Sequence, residues 1–173
     1  FAIAALKLNP TEVVGVDISQ GMLDVGIEKM KKKGYDKIIK MQLGDSESLP
    51  FETGYFDALT VGFGVRNYEN LEKGLADMLR VLRPGGRAVI LEFSKPKMFP
   101  IKQLFNFYSK YFIPFFGKRI SKDERAYAYL PESVAAFPEG KEMQAVMEKV
   151  GYTSVKIIPL SGGISSIYIG TKN

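Results

Sequence analysis

The chain has 173 residues, 46% of them hydrophobic and 25% charged, the balance of a globular domain with one substantial core. It contains no cysteine and no histidine, which excludes disulfides, thiolate nucleophiles, cysteine or histidine metal sites and Ser-His-Asp chemistry, leaving carboxylates, tyrosines, lysines and water for proton transfer. The net charge of +5 is local, because Lys95 to Lys122 holds seven basic residues and no acidic one while the remainder stands at 17 basic against 19 acidic. One basic surface element is expected rather than a coat for nucleic acid. Apolar runs break well before the ~20 residues that span a bilayer, and no basic region followed by an apolar stretch opens the sequence, so neither an integral membrane protein nor a secretory precursor is expected.

Phe1 to Leu8 read as the end of a helix closed by Asn9-Pro10. Glu12 to Asp17 is an apolar run ending in an acid, the pattern of a buried parallel strand, and Ser19 caps a helix predicted to turn Met22, Leu23, Ile27 and Met30 inward and to end at Lys31-Lys32-Lys33-Gly34. Short strands follow at 38–43 and 57–62. Leu71, Leu75, Met78, Leu79 and Leu82 recur at helical spacing, after which Pro84-Gly85-Gly86 is predicted to turn the chain into a strand from Arg87 to Phe93. Alternating strands and helices call for a parallel sheet with right-handed crossovers. An amphipathic helix is expected over 100–114 and another from Glu139 to Val150. Two final strands, 152–160 and 164–171, flank Ser161-Gly162-Gly163 and are expected to pair antiparallel.

Asp17 ends one strand and Asp45, in Gly44-Asp45-Ser46-Glu47, follows the next. Both fall on the carboxyl edge of the sheet, where open α/β folds bind ligands and where an acid can take both hydroxyls of a ribose. Asp17 reads equally well as an ordinary helix-start acid. With the Pro-Gly-Gly segment before a long apolar strand, the layout is that of a nucleoside-binding methyltransferase rather than a hydrolase. Val14-Gly15-Val16-Asp17-Ile18-Ser19, Gly44-Asp45-Ser46-Glu47-Ser48-Leu49-Pro50-Phe51, Phe63-Gly64-Val65-Arg66-Asn67, Arg80-Val81-Leu82-Arg83-Pro84-Gly85-Gly86-Arg87 and Leu91-Glu92-Phe93-Ser94-Lys95-Pro96 narrow it further. Together with Tyr127-Ala128-Tyr129-Leu130-Pro131-Glu132-Ser133 and Gly162-Gly163-Ile164, these segments resemble the ubiquinone/menaquinone biosynthesis C-methyltransferase family over nearly the whole chain.

The resemblance implies an α/β fold, a Rossmann-like class I methyltransferase sheet with helices on both faces and an antiparallel C-terminal strand pair. It implies S-adenosylmethionine as cofactor, with Asp17 on the ribose, Asp45 and Ser46 beside the adenine and Gly62 lining the pocket. Arg66 and Asn67 match the pair on the substrate side, and a structural ion pair to a sheet-edge carboxylate is the competing reading of Arg66. Tyr127 and Tyr129 are candidates for the substrate pocket, or packed aromatics. The expected reaction is C-methylation of a reduced prenylated quinone, demethylmenaquinol to menaquinol ahead of a ubiquinone precursor. A non-quinone small-molecule or RNA methyltransferase and a non-catalytic cofactor-binding fragment stand as alternatives.

The domain is read as 1–173 with a helical lid inserted at about 95–138. Its basic, aromatic stretch 95–122 either covers the quinone and touches an anionic membrane or simply covers the core with solvated lysines. A cytoplasmic protein, peripheral at the inner face of the membrane, is expected, with a homodimer as the family's state and no nucleic acid as partner. The family also opens with a strand and a glycine-rich loop that are not found here, and that strand is central to its sheet. The expectation is a further N-terminal segment in the natural protein.

Overall fold

The computed structural model describes residues 1–107 and 132–173. A short helix α1 (Ala2–Ala5) runs into a 3-10 turn and stops at Asn9, whose left-handed backbone (φ 50°) turns the chain toward β1 (Val13–Asp17). Helix α2 (Gln20–Lys33) starts where the Ser19 hydroxyl accepts the Met22 N–H and ends on Gly34 at φ 71°, after three lysines that suit the negative end of the helix dipole. Strand β2 (Ile39–Leu43) then lies parallel to β1, with Asp17 opposite Leu43. Leu23 and Met30 of α2 are buried, but Met22, expected inward, is exposed. With Ile18 and Val25 it forms an apolar strip that no described element covers.

Strand β3 (Phe56–Gly62), helix α3 (Leu71–Val81), β4 (Leu82–Phe93), α4 (Ile101–Phe107), α5 (Lys141–Val150), β5 (Thr153–Leu160) and β6 (Ser165–Thr171) complete the described elements with a helical turn at 132–136. The last four strands form one sheet in the order β3-β4-β6-β5, β3 and β4 parallel and the other pairs antiparallel, while β1 and β2 form a separate pair. The closing antiparallel pair joined at Ser161–Gly163 is as expected.

The expected turn at Pro84-Gly85-Gly86 is instead a bulge inside one long strand. Phe56 faces Leu82 while Ala58 already faces Arg87. The reason lies far along the chain: the Gly85 N–H donates to the Lys172 carbonyl and the Lys172 N–H to the Gly86 carbonyl, so the last strand holds the loop in the sheet, with Gly85 at φ 79°.

The core sits between the four-stranded sheet and the two helices on one of its faces: Leu75, Met78 and Val81 of α3, Met143 and Met147 of α5, Ala88 and Ile90 of β4, and Tyr168 of β6. Tyr152, just before β5, buries its ring and donates its hydroxyl to the Leu75 carbonyl at 3.1 Å. Burial pushes the Tyr152 and Tyr168 phenols up from their ordinary value, so both remain neutral donors or acceptors.

The segment 44–51 is latched onto α3 by charge. Asp77 accepts the Leu49 N–H at 2.6 Å, and Arg80, bound to Asp77 at 2.7 Å, donates to the Phe51 and Leu49 carbonyls at 2.6 and 2.9 Å. Burial pushes the Asp77 carboxyl up, but the hydrogen bonds from Arg80 and the Leu49 amide, with the charges of Arg80 and Lys73, outweigh it and hold the group below its ordinary value. A carboxyl lowered by folding stabilises above its unfolded pKa, near 4, and that contribution disappears as pH falls through the folded value. Asp77→Asn is therefore expected to be about 2 kcal/mol less stable than wild type at pH 7, with the gap closing below about pH 4; urea unfolding at a series of pH values measures it.

Candidate active site

The parallel strands carry the candidate residues at their carboxyl ends because each apolar run stops at a polar residue that can leave the sheet. Asp17, exposed at the end of β1, accepts the Ser19 N–H at 2.8 Å, and its carbonyl accepts the Gly44 N–H at 3.1 Å. Asp45 is thereby set next to it and uses one carboxylate oxygen to accept the Glu47 N–H at 2.8 Å. Ser46 hydrogen-bonds the Tyr68 hydroxyl. Burial pushes the Tyr68 phenol up, the Ser46 hydrogen bond opposes this, and the nearby charges of Glu47 and Asp45 add to the rise.

Glu47 connects this loop to the other sheet. Its buried carboxylate accepts the Glu69 N–H at 2.6 Å and the Asn70 N–H at 3.1 Å, just after the turn Val65–Asn67 that carries Arg66. Arg66 folds back from that turn over β4. One guanidinium nitrogen lies 2.8 Å from Glu92 Oε1 and 2.5 Å from the Phe63 carbonyl, and the guanidinium carbon stands 5.3 Å from the centre of the Phe93 ring. The Glu92 carboxylate is fully buried and also accepts the Phe93 N–H at 2.9 Å and the Arg66 N–H at 3.3 Å. Arg66 Nε is buried with no hydrogen-bond partner.

The ion pair to a sheet-edge carboxylate, held open as one reading of Arg66, is thus present, and it places the arginine rather than merely neutralising it. A buried pair of this kind contributes little net stability, because desolvating both charges offsets their attraction. Asn67 occupies the same turn and is exposed. Gly62 ends β3 against the ring of Phe1, which a Cβ there would run into. Tyr127 and Tyr129 lie outside the described residues. Glu92 has a role that its motif Leu91-Glu92-Phe93-Ser94 does not state, and its signal in the sequence is an acid inside an otherwise apolar strand end.

The donor set fits an adenosyl group at the β1–β2 end. Two exposed carboxylates, each fixed by one oxygen to the backbone, suit ribose hydroxyls and the adenine amino group as donors, with Ser46 beside them. Among the described residues no cluster of acids able to hold a metal ion occurs.

Comparison with known proteins decides the family. The model of the ubiE/COQ5 methyltransferase family matches residues 1–172. The chain belongs to that family. A demethylmenaquinone methyltransferase of Bacteroides fragilis is 49% identical over 99% of this chain and 71% of its own length. A protein of Geotalea uraniireducens named ubiquinone/menaquinone biosynthesis C-methyltransferase UbiE is 41% identical over 98% of this chain and 72% of its own. Among solved structures, the phosphoethanolamine N-methyltransferase 2 of Haemonchus contortus aligns with a TM-score of 0.70 at 14% identity, over 99% of this chain and 46% of its own. A methyltransferase of Thermotoga maritima, titled S-adenosylmethionine-dependent, gives 0.66 at 16% over 98% and 76%. The ubiE/COQ5 chain is an enzyme, a methyltransferase with the Rossmann-like class I fold and S-adenosylmethionine as methyl donor, as the sequence led one to expect.

Glu92→Ala leaves the Arg66 guanidinium and two backbone N–H groups without their acceptor and is expected to cost about 3 kcal/mol. The double change Glu92→Leu with Arg66→Met should recover most of that loss. Equilibrium denaturation of the two variants against wild type checks both values.

Proposed function

We propose that this methyltransferase adds a methyl group to a ring carbon of a reduced prenylated quinone, demethylmenaquinol to menaquinol, with Arg66 and Asn67 on the substrate side. The observation that supports this reading best is the Arg66 guanidinium, pinned by Glu92 and the Phe63 carbonyl at the carboxyl edge of the sheet, on a turn that Glu47 ties to the loop carrying Asp45. The identity to relatives named demethylmenaquinone methyltransferase supports the same substrate. The Geotalea relative's name favours the second reading, C-methylation of a ubiquinone precursor.

S-adenosylmethionine supplies an electrophilic methyl group on its sulfonium. Asp17 would hold the ribose hydroxyls, and Asp45 with Ser46 the adenine. Ionisation of a quinol hydroxyl makes the adjacent ring carbon nucleophilic. Arg66 cannot act as the base, since a guanidinium holds its protons, but its N–H groups not bound to Glu92 can receive the phenolate oxygen and orient a water. Asn67 would position the same oxygen. The ring carbon would take the methyl group in line as the carbon–sulfur bond breaks to leave S-adenosylhomocysteine, and would then give its own proton to water. Orientation supplies most of the acceleration, and a guanidinium already locked by a buried carboxylate needs no reorganisation when charge develops.

Arg66→Ala is expected to lower kcat for methylation of reduced demethylmenaquinone by about 100-fold or more while leaving affinity for S-adenosylhomocysteine nearly unchanged. Product formation by liquid chromatography and calorimetric titration of the full-length protein read the two effects. Methylation at the wild-type rate by the variant would remove Arg66 from the chemistry.

The lid at 95–138 and contact with an anionic membrane at the inner face belong to the same proposal. Met98, Phe99, Leu104 and Phe107 are exposed beside Lys95, Lys97 and Lys102, a combination of apolar and cationic side chains suited to a lipid surface. No described helix is long and apolar enough to cross a membrane. Homodimerisation, expected from the resemblance, is read by sedimentation velocity. For the membrane, each lysine near an anionic surface contributes about 1 kcal/mol, so reversing the charge of Lys102 and Lys110 is expected to weaken binding to anionic liposomes at least tenfold, with sedimentation of vesicles as the measurement.

A further inference from the structure

Beside the Arg66–Glu92 pair lies a cleft that the chemistry of the ring does not use. Glu92 of β4 faces Ser166 of β6 across the sheet, and the cleft begins at Ser166 and Ser94 and reaches Ile157 and Pro159 of β5. From β4 across β6 to β5 is two strand spacings, about 10 Å. Its volume is about 340 Å³, within the range of sites for small organic ligands.

Its walls are apolar, with Met98, Ile157 and Pro159 as the side chains that matter. Its polar floor is paired internally: the Ser94 hydroxyl lies 2.9 Å from the Gly163 carbonyl and 3.0 Å from the Ser166 hydroxyl. At the rim, Glu139 accepts the Lys95 N–H at 2.5 Å and faces the Lys97 ammonium at 3.6 Å, which ties the 95–97 strap down and sets a carboxylate against any incoming anion. A guest with phosphates or hydroxyls would find these groups already engaged. A hydrocarbon guest leaves them undisturbed and removes water from the apolar walls.

We propose that this cleft holds the isoprenoid chain of the quinol, the units nearest the ring, while the ring itself stands at Arg66. The proposal rests on the quinol reading above. At one end the cleft is lined by Ser166, the cross-strand neighbour of the Glu92 that holds Arg66, and its other end meets exposed Met98 on the strap that carries Lys95 and Lys97. A chain leaving the ring therefore passes along an apolar wall toward the surface patch suited to lipid. Because the seat spans about two strand spacings, it discriminates on the first isoprene units and tolerates any length beyond them.

The test measures kcat/KM of the full-length enzyme on demethylmenaquinols with zero, one, two and four isoprene units, in one detergent, for wild type, Met98→Asp and Pro159→Asp. Met98 and Pro159 are both exposed, so neither change removes a core side chain; thermal melting and S-adenosylhomocysteine titration verify each fold. In wild type kcat/KM is expected to rise from zero to two units and then level off. In either variant the ratio of kcat/KM for the two-unit quinol to that for the unprenylated quinol is expected to fall about tenfold, carried by KM. Turnover with the same ratio in folded variants and wild type would overturn the role of the cleft and leave the quinol reading intact. Failure of wild type to methylate any of the quinols would overturn the quinol reading, and the cleft's role with it.

Discussion

The Glu47 carboxylate, by taking amide hydrogens from Glu69 and Asn70, joins two sheets that share no backbone ladder. One side of that joint carries Asp17 and Asp45, the other Arg66. Two charge-assisted hydrogen bonds from consecutive amides define a direction as well as a distance, so the loop after β2 and the turn after β3 have one relative placement. The Asp77–Arg80 latch does the same about two turns further along α3, gripping Leu49 and Phe51. The segment 44–51 is thus a rigid brace built from side chains, placed where a continuous sheet would have used strand pairing.

Arg66 and Glu92 obey a different constraint. A fully buried carboxylate opposite a mostly buried guanidinium is costly to assemble, and an apolar pair of the same volume would serve the core as well or better. The geometry makes sense as placement: Glu92 belongs to β4, and its carboxylate takes both the Arg66 amide and the Arg66 guanidinium, so the arginine is referred to that strand as well as to its own turn. Phe93 beneath the guanidinium and Phe63, 4.5 Å from Phe93 ring to ring, fill the space through which water would loosen it. The side chain enters the reaction already oriented, at a cost met in folding rather than in turnover.

The fold was legible wherever a signal is local. The apolar run to Asp17, the Ser19 cap, the lysine-glycine ending of α2 and the methionines of α5 each state their element within a few residues, and the structure follows them. What failed to show was non-local. Pro84-Gly85-Gly86 has the composition of a turn, and only the Lys172 backbone, 86 residues on, makes it a bulge. Met22 fits the inward stripe of α2 by periodicity, yet periodicity cannot say how wide a surface the neighbouring strands cover. At the site, the sheet-edge acids and Arg66 were readable from motif and position. Glu92 and Glu47 were not, because their meaning lies in amide partners on other elements, 22 to 26 residues away.

The strand order also bears on how the chain is made. Strand β6 is synthesised after every other described strand, yet it lies between β4 and β5 and holds the Gly85–Gly86 bulge through Lys172. A nascent chain can pair β3 with β4 early, but β5 has no neighbour until β6 arrives, and Ser166 cannot meet Ser94 before then. Until β6 leaves the ribosome, β4 therefore carries an open apolar edge, the state in which chains aggregate or need a chaperone. Pairing of β6 is thus the step that gives β5 its neighbour, fixes the Gly85–Gly86 bulge and brings Ser166 to Ser94.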